Sequence, residues 1–285
     1  MGVELREATP DDLEECSQVI FAAFTQLDEQ HGFPRDFASV VEAVELTRPL
    51  LHHPLIAGVL AEKDGRVVGC NFLDERDAIR GVGPTAVDPR VQGRGIGRLL
   101  SEAVLGRCGR VRGVRLTQDA YNVRSLALYA SLGFDVKEAL VFVEGRPASG
   151  PVAGVEVRPA EVADLDACAS LCHELLGEHR RGELADAVAA RTALVATRAG
   201  RVVSYTSGFN LFGHAVARGE ADMRALVLGV YDAVSDPIGL LVPTRRADTL
   251  RWCLGQRLRL LKPMTLMARG FYRRPAGSWF PSVMY

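Results

Sequence analysis

The sequence predicts a mixed α/β protein made of two related domains in tandem, each an α/β unit with a mixed sheet. Three observations carry this expectation. The chain repeats itself: "VELREATPDDLEEC" (3–16) and "VEVRPAEVADLDAC" (155–168) align without gaps and share seven of fourteen residues. Both copies then carry a strand–turn–strand signal, "AEKDGRVV" (61–68) and "ATRAGRVV" (196–203). The first copy also holds a glycine-rich strand-to-helix segment, "VDPRVQGRGIGRLL" (87–100).

The repeats keep their order. A weaker echo pairs "LALYASLG" (126–133) with "DTLRWCLG" (248–255), and the offset falls from 152 to 135 to 122 residues. A shrinking offset is what deletions in the second of two homologous domains produce. The join is "GRPASGPVAG" (145–154), where six of ten residues are Gly, Pro or Ser. Such composition ends regular structure. The expected domains are residues 1–147 and 155–285.

Each half opens with a short strand, Val3–Arg6 or Val155–Arg158, leading into a helix. In the first half Thr9 suits an N-cap, Pro10 the first helical position, and Asp11 and Asp12 the positive end of the dipole. Apolar residues 13, 16, 19, 20 and 23 follow at helical spacing. "AGVLAEKDGRVVGCNFL" then reads as a hairpin around Asp-Gly. A strand near 81–87 feeds the glycine loop, and a helix runs to about Cys108, expected to bury Ile96, Leu99, Leu100, Ala103 and Val104. "VRLTQ" is a strand, "NVRSLALYASLG" a helix ending at Gly133, and "DVKEALVFVEG" a last strand.

Composition narrows the function. With 34 basic and 35 acidic residues the net charge is −1, which gives no footprint for nucleic acid or an anionic membrane. Basic charge is local: eight arginines lie between Arg90 and Arg124, against Glu102 and Asp119. That suits a small anionic ligand better than a polymer. Six scattered cysteines read as reduced, buried residues, and no Cys/His set has zinc spacing, so no metal is expected. No signal peptide or membrane-spanning run is evident, so the expected setting is the cytoplasm, with no membrane partner. Nothing in the sequence sets the oligomeric state.

Glycine loops that open a helix usually bind phosphate, because N–H groups converge there without Cβ interference and the dipole favours an anion. Two such patterns fail here. No Lys-Ser or Lys-Thr follows, as a P-loop requires, and neither Gly93 nor Gly95 starts a G-x-G-x-x-G. The segment that fits is Gln92-Gly93-Arg94-Gly95-Ile96-Gly97, a Q-x-x-G-x-G motif. About thirty residues on stands Asn122-x-x-Ser125-x-x-x-Tyr129-x-x-x-Gly133-Phe134. On these two motifs, in this order, residues 3–144 resemble the GNAT N-acetyltransferase superfamily. The resemblance implies two tandem GNAT-like acyl-CoA N-acyltransferase domains, the first of them active with acetyl-CoA as co-substrate.

The resemblance also implies roles. The amides of Gln92, Gly93, Arg94, Gly95, Ile96 and Gly97 would hold the pyrophosphate of coenzyme A, with Arg90, Arg94 and Arg98 placed to add positive charge. The strand before the loop splays from its neighbour in the family, so the backbones of Ala86 and Val87 would bond the pantetheine arm. Asn122 and Ser125 would border the arm from the other side. Tyr129 would protonate the leaving sulfur. Glu75, in "FLDERDAIRG" (72–81), is the expected base for a primary amine of a small molecule or peptide, though that acidic cluster also reads as a solvated hairpin end. Carboxylates in "FAAFTQLDEQHGF" (21–33) read either as receptors for a cationic amine or as the polar face of a helix.

The second half lacks the motif. "FGHAVARGEADMRALVLGV" (212–230) places Glu220 and Asp222 where phosphate amides should stand, and two carboxylates there repel an anion. Arg251 and Thr244 replace Tyr129 and Asn122. This domain is expected to serve structure or one wall of the acceptor cleft. The apolar tail "SWFPSVMY" (278–285) is expected to be tied down, as a missing edge strand or as cleft lining. The other reading from a different class is a non-catalytic acyl-CoA-binding module, which would need the loop but not Tyr129.

Overall fold

A computed structural model describes residues 2–230 and 237–284 of the chain. The repeated opening segments build the same small clasp twice. In the first half, strand β1 (Glu4–Glu7) and a short 3-10 turn (Pro10–Asp12) are tied by Arg6, whose two terminal nitrogens donate to Asp12 at 3.0 and 2.7 Å. Asp12 also accepts the Thr9 amide at 2.7 Å. In the second half, β8 (Glu156–Pro159) and a turn at Val162–Asp164 repeat this through Arg158 and Asp164, at 2.7 and 2.8 Å, with Asp164 accepting the Glu161 amide. The shared Arg and Asp of the two copies therefore have one structural job.

After the clasp, the first half runs α1 (Leu13–His31), α2 (Val40–His52), β2 (Ile56–Lys63), β3 (Arg66–Asp74), β4 (Ile79–Val82), β5 (Ala86–Val87), α3 (Ile96–Arg107), β6 (Gly113–Asp119), α4 (Val123–Ser131) and β7 (Asp135–Gly145). The second half repeats the plan in shortened form. After β8 come α5 (Leu165–Leu176), α6 (Arg181–Ala189), β9 (Leu194–Arg198), β10 (Arg201–Thr206), β11 (Ala215–Ala217), α7 (Glu220–Leu228), β12 (Ile238–Pro243), α8 (Ala247–Gly255), β13 (Arg259–Gly270) and β14 (Ser278–Phe280). Gly32 and Gly177, both left-handed, end α1 and α5 alike.

The halves exchange strands. The main sheet runs β1-β2-β3-β4-β6-β13-β7-β12, with β5 paired to β3. Thus β13, from the second half, lies antiparallel between β6 and β7 of the first. Reciprocally, β7 lies between β13 and β12 of the second half. Each half's last long strand fills a slot in the other half. The side chains follow. Leu140 and Phe142 of β7 are buried with Leu171, Cys172 and Trp279 of the second half. Met267 of β13 is buried with Leu116, Tyr129 and Phe134 of the first. The strand wanting beside β7 is therefore supplied by β13 and not by the tail. β7 ends at Gly145 and β8 begins at Glu156, and β7 itself is core to both halves.

The tail is tied down as expected, in two places. β14 pairs with β11 in a second sheet ordered β14-β11-β10-β9-β8, and it lies against β12 as well. Trp279 and Phe280 are buried there. Beyond it the Val283 amide donates to Leu211 O at 2.8 Å within the second half, and Met284 crosses to the first half, joining the core beneath α1. All six cysteines are free and buried. Among the described residues no helix is long and apolar enough to cross a membrane.

Candidate active site

The site begins where β4 leaves β6. The two strands pair in parallel only over Ile79–Gly81 and Gly113–Arg115. Pro84, which has no amide proton, follows, and β5 turns to pair with β3 alone. The last residues of β6 thereby lose their partner on this side. Along β5 the Asp88 amide donates to Val68 O at 2.9 Å, so alternation of the ladder turns the Asp88 and Ala86 backbones toward β3 and that of Val87 toward the gap. Of the two residues expected to meet a pantetheine arm, Val87 lines the gap while Ala86 is buried against β3.

The glycine loop stands at one end of this gap. Gly93 and Gly95 have φ of +78° and +84°, a conformation that side chains strain to adopt, and neither has a neighbouring atom where a Cβ would project. The loop is therefore open on its outer face, as a backbone cradle for an anion must be. Gly95 caps α3, whose first N–H groups have no acceptor within the helix. Gln92 ties the loop to the strand, its Nε2 donating to Val87 O at 2.9 Å. Ile96, Leu100 and Val104 anchor α3 in the core, while Leu99, expected to be buried, is 42% exposed. The arginines divide. Arg98 lines the cleft and donates to Ser131 Oγ at 2.6 Å. Arg94 is exposed and outside the cleft lining, and Arg90 is held by Asp88 at 2.5 Å.

α4 supplies the facing wall. Asn122 Oδ1 caps the helix by accepting the Ser125 amide at 3.1 Å, and both residues line the cleft. Tyr129, one turn further on, is 6% exposed, and its hydroxyl donates to Thr85 Oγ1 at 3.1 Å, just where β4 and β5 splay. Burial raises its pKa, so the phenol keeps its proton at neutral pH and is available as a donor.

Loop, gap and α4 open into one cleft of about 850 Å³ that continues to the opposite face of the sheet. Its far end adjoins the 21–33 segment, whose carboxylates the sequence offered as amine receptors, and adds Asp36, Asp119, Tyr121 and Lys262, which the sequence did not single out. Asp28, fully buried at the end of α1, accepts the Tyr121 hydroxyl at 2.8 Å and the Asp36 amide at 3.0 Å. Phe33 stacks on Tyr121 with ring centroids 4.2 Å apart. Lys262 of β13 reaches in from the second half, 2.5 and 2.7 Å from the two oxygens of Asp36 and 2.8 Å from Asp119 Oδ1. The Asp119 carboxyl is raised to about 6, chiefly by burial and further by Asp36, against the opposing pull of Lys262. Leu211, Phe212, Met264, Val283 and Met284 complete the wall from the second half. The faint signal for Lys262 is a lone charge inside an apolar strand, "LLKPMTLMA".

Glu75, the expected base, is not in this cleft. It faces α3 and lies 3.4 Å from Arg107 Nε. Its acidic neighbours join the halves. Asp74 holds Arg76, which reaches Asp186 at 2.9 Å, and Asp77 accepts the Gly182 and Glu183 amides at 2.9 and 3.2 Å, capping α6 across the junction. In the second half, Glu220 begins α7 and bonds Thr249, and Arg251 is exposed beside Asp248. β14 occupies the edge of β11 that corresponds to the open edge of β5.

A mixed sheet splayed at its centre, with an amide-lined helix start beside the gap, defines a GNAT-type acyltransferase fold. Residues 15–134 match the family described as acetyltransferase (GNAT) family, so the first half carries a domain of that family. The whole chain is similar to a Pyrococcus horikoshii protein assigned as an acetyltransferase, at 19% identity and TM-score 0.74, covering 95% of this chain and 90% of that one. It is similar to a GCN5-related N-acetyltransferase from Sphaerobacter thermophilus, at 18% identity and TM-score 0.63, over 95% and 98% of the two chains. It is also similar to a tandem GNAT protein from the clavulanic acid biosynthesis pathway, at 14% identity and TM-score 0.61, over 97% and 99%. No curated protein matches the chain by sequence.

Proposed function

We propose that the first half transfers an acetyl group from acetyl-CoA to a primary amine of a small molecule or peptide by direct attack on the thioester, and that the second half binds no coenzyme. The observation that carries this reading is the continuity of one cleft from Gly93 and Gly95, through the splayed strands, past Tyr129. The loop amides and helix start of α3 suit the pyrophosphate, with Arg98 adding charge. The gap edge of Val87 suits an extended arm that completes the sheet. Its N–H then lies on the side where a thioester carbonyl develops negative charge. The Tyr129 phenol supplies a proton to the departing sulfur. In the second half Glu220 repels phosphate and β14 fills the corresponding edge.

The test is thiol release from acetyl-CoA across a panel of amines, amino acids and peptides, together with calorimetry of coenzyme A. One coenzyme site per chain, lost in a Gly95→Val variant, and amine-dependent thiol release support the reading. Two sites per chain overturn the assignment of the second half. Coenzyme binding without turnover on any amine favours a non-catalytic acyl-CoA-binding module.

A further inference from the structure

The cleft's far end carries more negative charge than its own partners neutralise. Asp28, Asp36 and Asp119 line or adjoin it, and Lys262 is the cation set among them. Next to Asp119, Gln118 is 7% exposed and lines the cleft, yet neither end of its amide has a hydrogen-bond partner among the described residues. A buried amide left so is destabilising unless a ligand or water satisfies it. Among the described residues no three His, Cys, Asp or Glu side chains, these aspartates included, are placed so that together they could hold a metal ion. Phe24, Phe37, Phe212 and Met284 add apolar walls, with Gln30 and His31 on the α1 side. A polar floor with surplus negative charge under apolar walls fits an organic ammonium ion.

The placement of Lys262 is built rather than incidental. β13 breaks its register with β7 between Leu260 and Lys262, and such irregularities re-aim side chains. Past that break, Lys262 and Met264 face the cleft, and Met264 stands opposite Asp119 in the ladder. The second half thus delivers one ammonium to two carboxylates of the first.

Resting on the function proposed above, we propose that the acceptor enters as an ammonium ion between Asp36 and Asp119, that Asp119 takes its proton, and that Lys262 is the positioning residue which holds both carboxylates. The acceptor class is a cationic alkyl or arylalkyl amine. The ammonium gives one proton to Asp119. The freed nitrogen pair forms the C–N bond to the acetyl carbon as the C–S bond breaks. Tyr129 gives its proton to the sulfur and regains one from the nitrogen, and Asp119 returns its proton to solvent. One amide, one thiol and one proton result. The groups facing Asp119 are Lys262 from β13, Asp36 from the α1–α2 connection, Asp28 from α1 and Tyr121 beyond β6.

The experiment uses the full chain, a series of short alkyl monoamines and diamines, and benzylamine. Calorimetry of these amines in the absence of coenzyme is expected to show binding that Asp36→Asn weakens about tenfold or more. Asp119→Asn is expected to lower kcat/KM for the amine by about a hundredfold with coenzyme affinity kept. Lys262→Met is expected to move the acid limb of the pH–rate profile up by about one pH unit, since it removes the cation that favours ionised Asp119, and Lys262→Arg to restore it. Unchanged amine binding in Asp36→Asn, or an acid limb unmoved by Lys262→Met, overturns the proposal. Failure of coenzyme A to bind at all sinks the acetyltransfer reading instead, and the amine calorimetry still reports on this site.

Discussion

At the scale of single residues, the sharpest test of the chemistry is Tyr129. Its hydroxyl donates to Thr85 and lies within hydrogen-bonding reach of Ser125, and its ring packs on Phe134 at 5.9 Å. Tyr129→Phe keeps that packing and removes only the proton donor, so kcat is expected to fall about a hundredfold while calorimetry shows coenzyme affinity unchanged. Acid stability rests on other residues. Asp12 is held to about 2, first by its hydrogen bonds from Arg6, against an ordinary value of 3.8. Its folded pKa is depressed, so its contribution is present above about pH 4 and lost as pH falls toward 2. Asp12→Asn is expected to lower the melting temperature at pH 6 and to have no effect near pH 2, measured by thermal scans at both. The residues legible in the sequence were those whose chemistry is local. Glycine at positive φ and Asn at a helix start announce themselves within a few positions, which is why the loop and α4 could be read. Glu75 misled because the partners of the 74–77 cluster, Asp186 and the start of α6, lie over a hundred residues away. Asp119 and Lys262 stayed hidden for the same reason: the pair is made by a strand exchange that no short window records.

At the scale of elements, periodicity gave the strands and helices, and the Arg–Asp clasp gave the repeat its physical meaning. Partner choice was not legible. β7 and β13 are both long and largely apolar on both faces, which marks a central strand but not its neighbours. The tail was recognisable as apolar, and its two anchorages were not. These anchorages can be probed by one methyl group. A Cβ placed on Gly81 would collide with the Met284 carbonyl, and that carbonyl is backbone. Gly81→Ala must therefore move either β4 or the tail. Since Gly81 pairs on both sides, with Asp74 and Arg115, the tail is the element that yields. The expected outcome is a loss of about 1–3 kcal/mol in denaturant unfolding. It is accompanied by faster amide exchange at Val283 and a raised KM for the amine, because Val283 and Met284 line the cleft. Unchanged exchange at Val283 would remove the tail from the acceptor wall.

At the scale of the whole molecule, two homologous halves would ordinarily unfold as two units joined by a linker. The exchange of β7 and β13 forbids that here. Were the second half to unfold alone, β6 would lose its whole antiparallel partner from Gly113 to Asp119, and β7 would lose both neighbours. Leu140, Val141, Phe142 and Val143, all buried, would be left facing water. At roughly 1.5–3 kcal/mol for each large apolar side chain exposed, that loss is comparable with the whole stability of a domain. The buried Arg115–Glu178 pair, at 2.5 and 2.7 Å, would also be broken. Calorimetric unfolding is therefore expected as one transition whose van't Hoff and calorimetric enthalpies agree, despite the 285-residue length. Residues 1–147 and 155–285 expressed separately are expected to lack a cooperative transition, and to regain one when refolded together. Two resolved transitions, or a folded and coenzyme-binding 1–147 fragment, would show that the exchanged strands are dispensable. Loss of Lys262 with the second half then predicts the functional counterpart: a half that could fold alone would still lack the cation that sets Asp36 and Asp119.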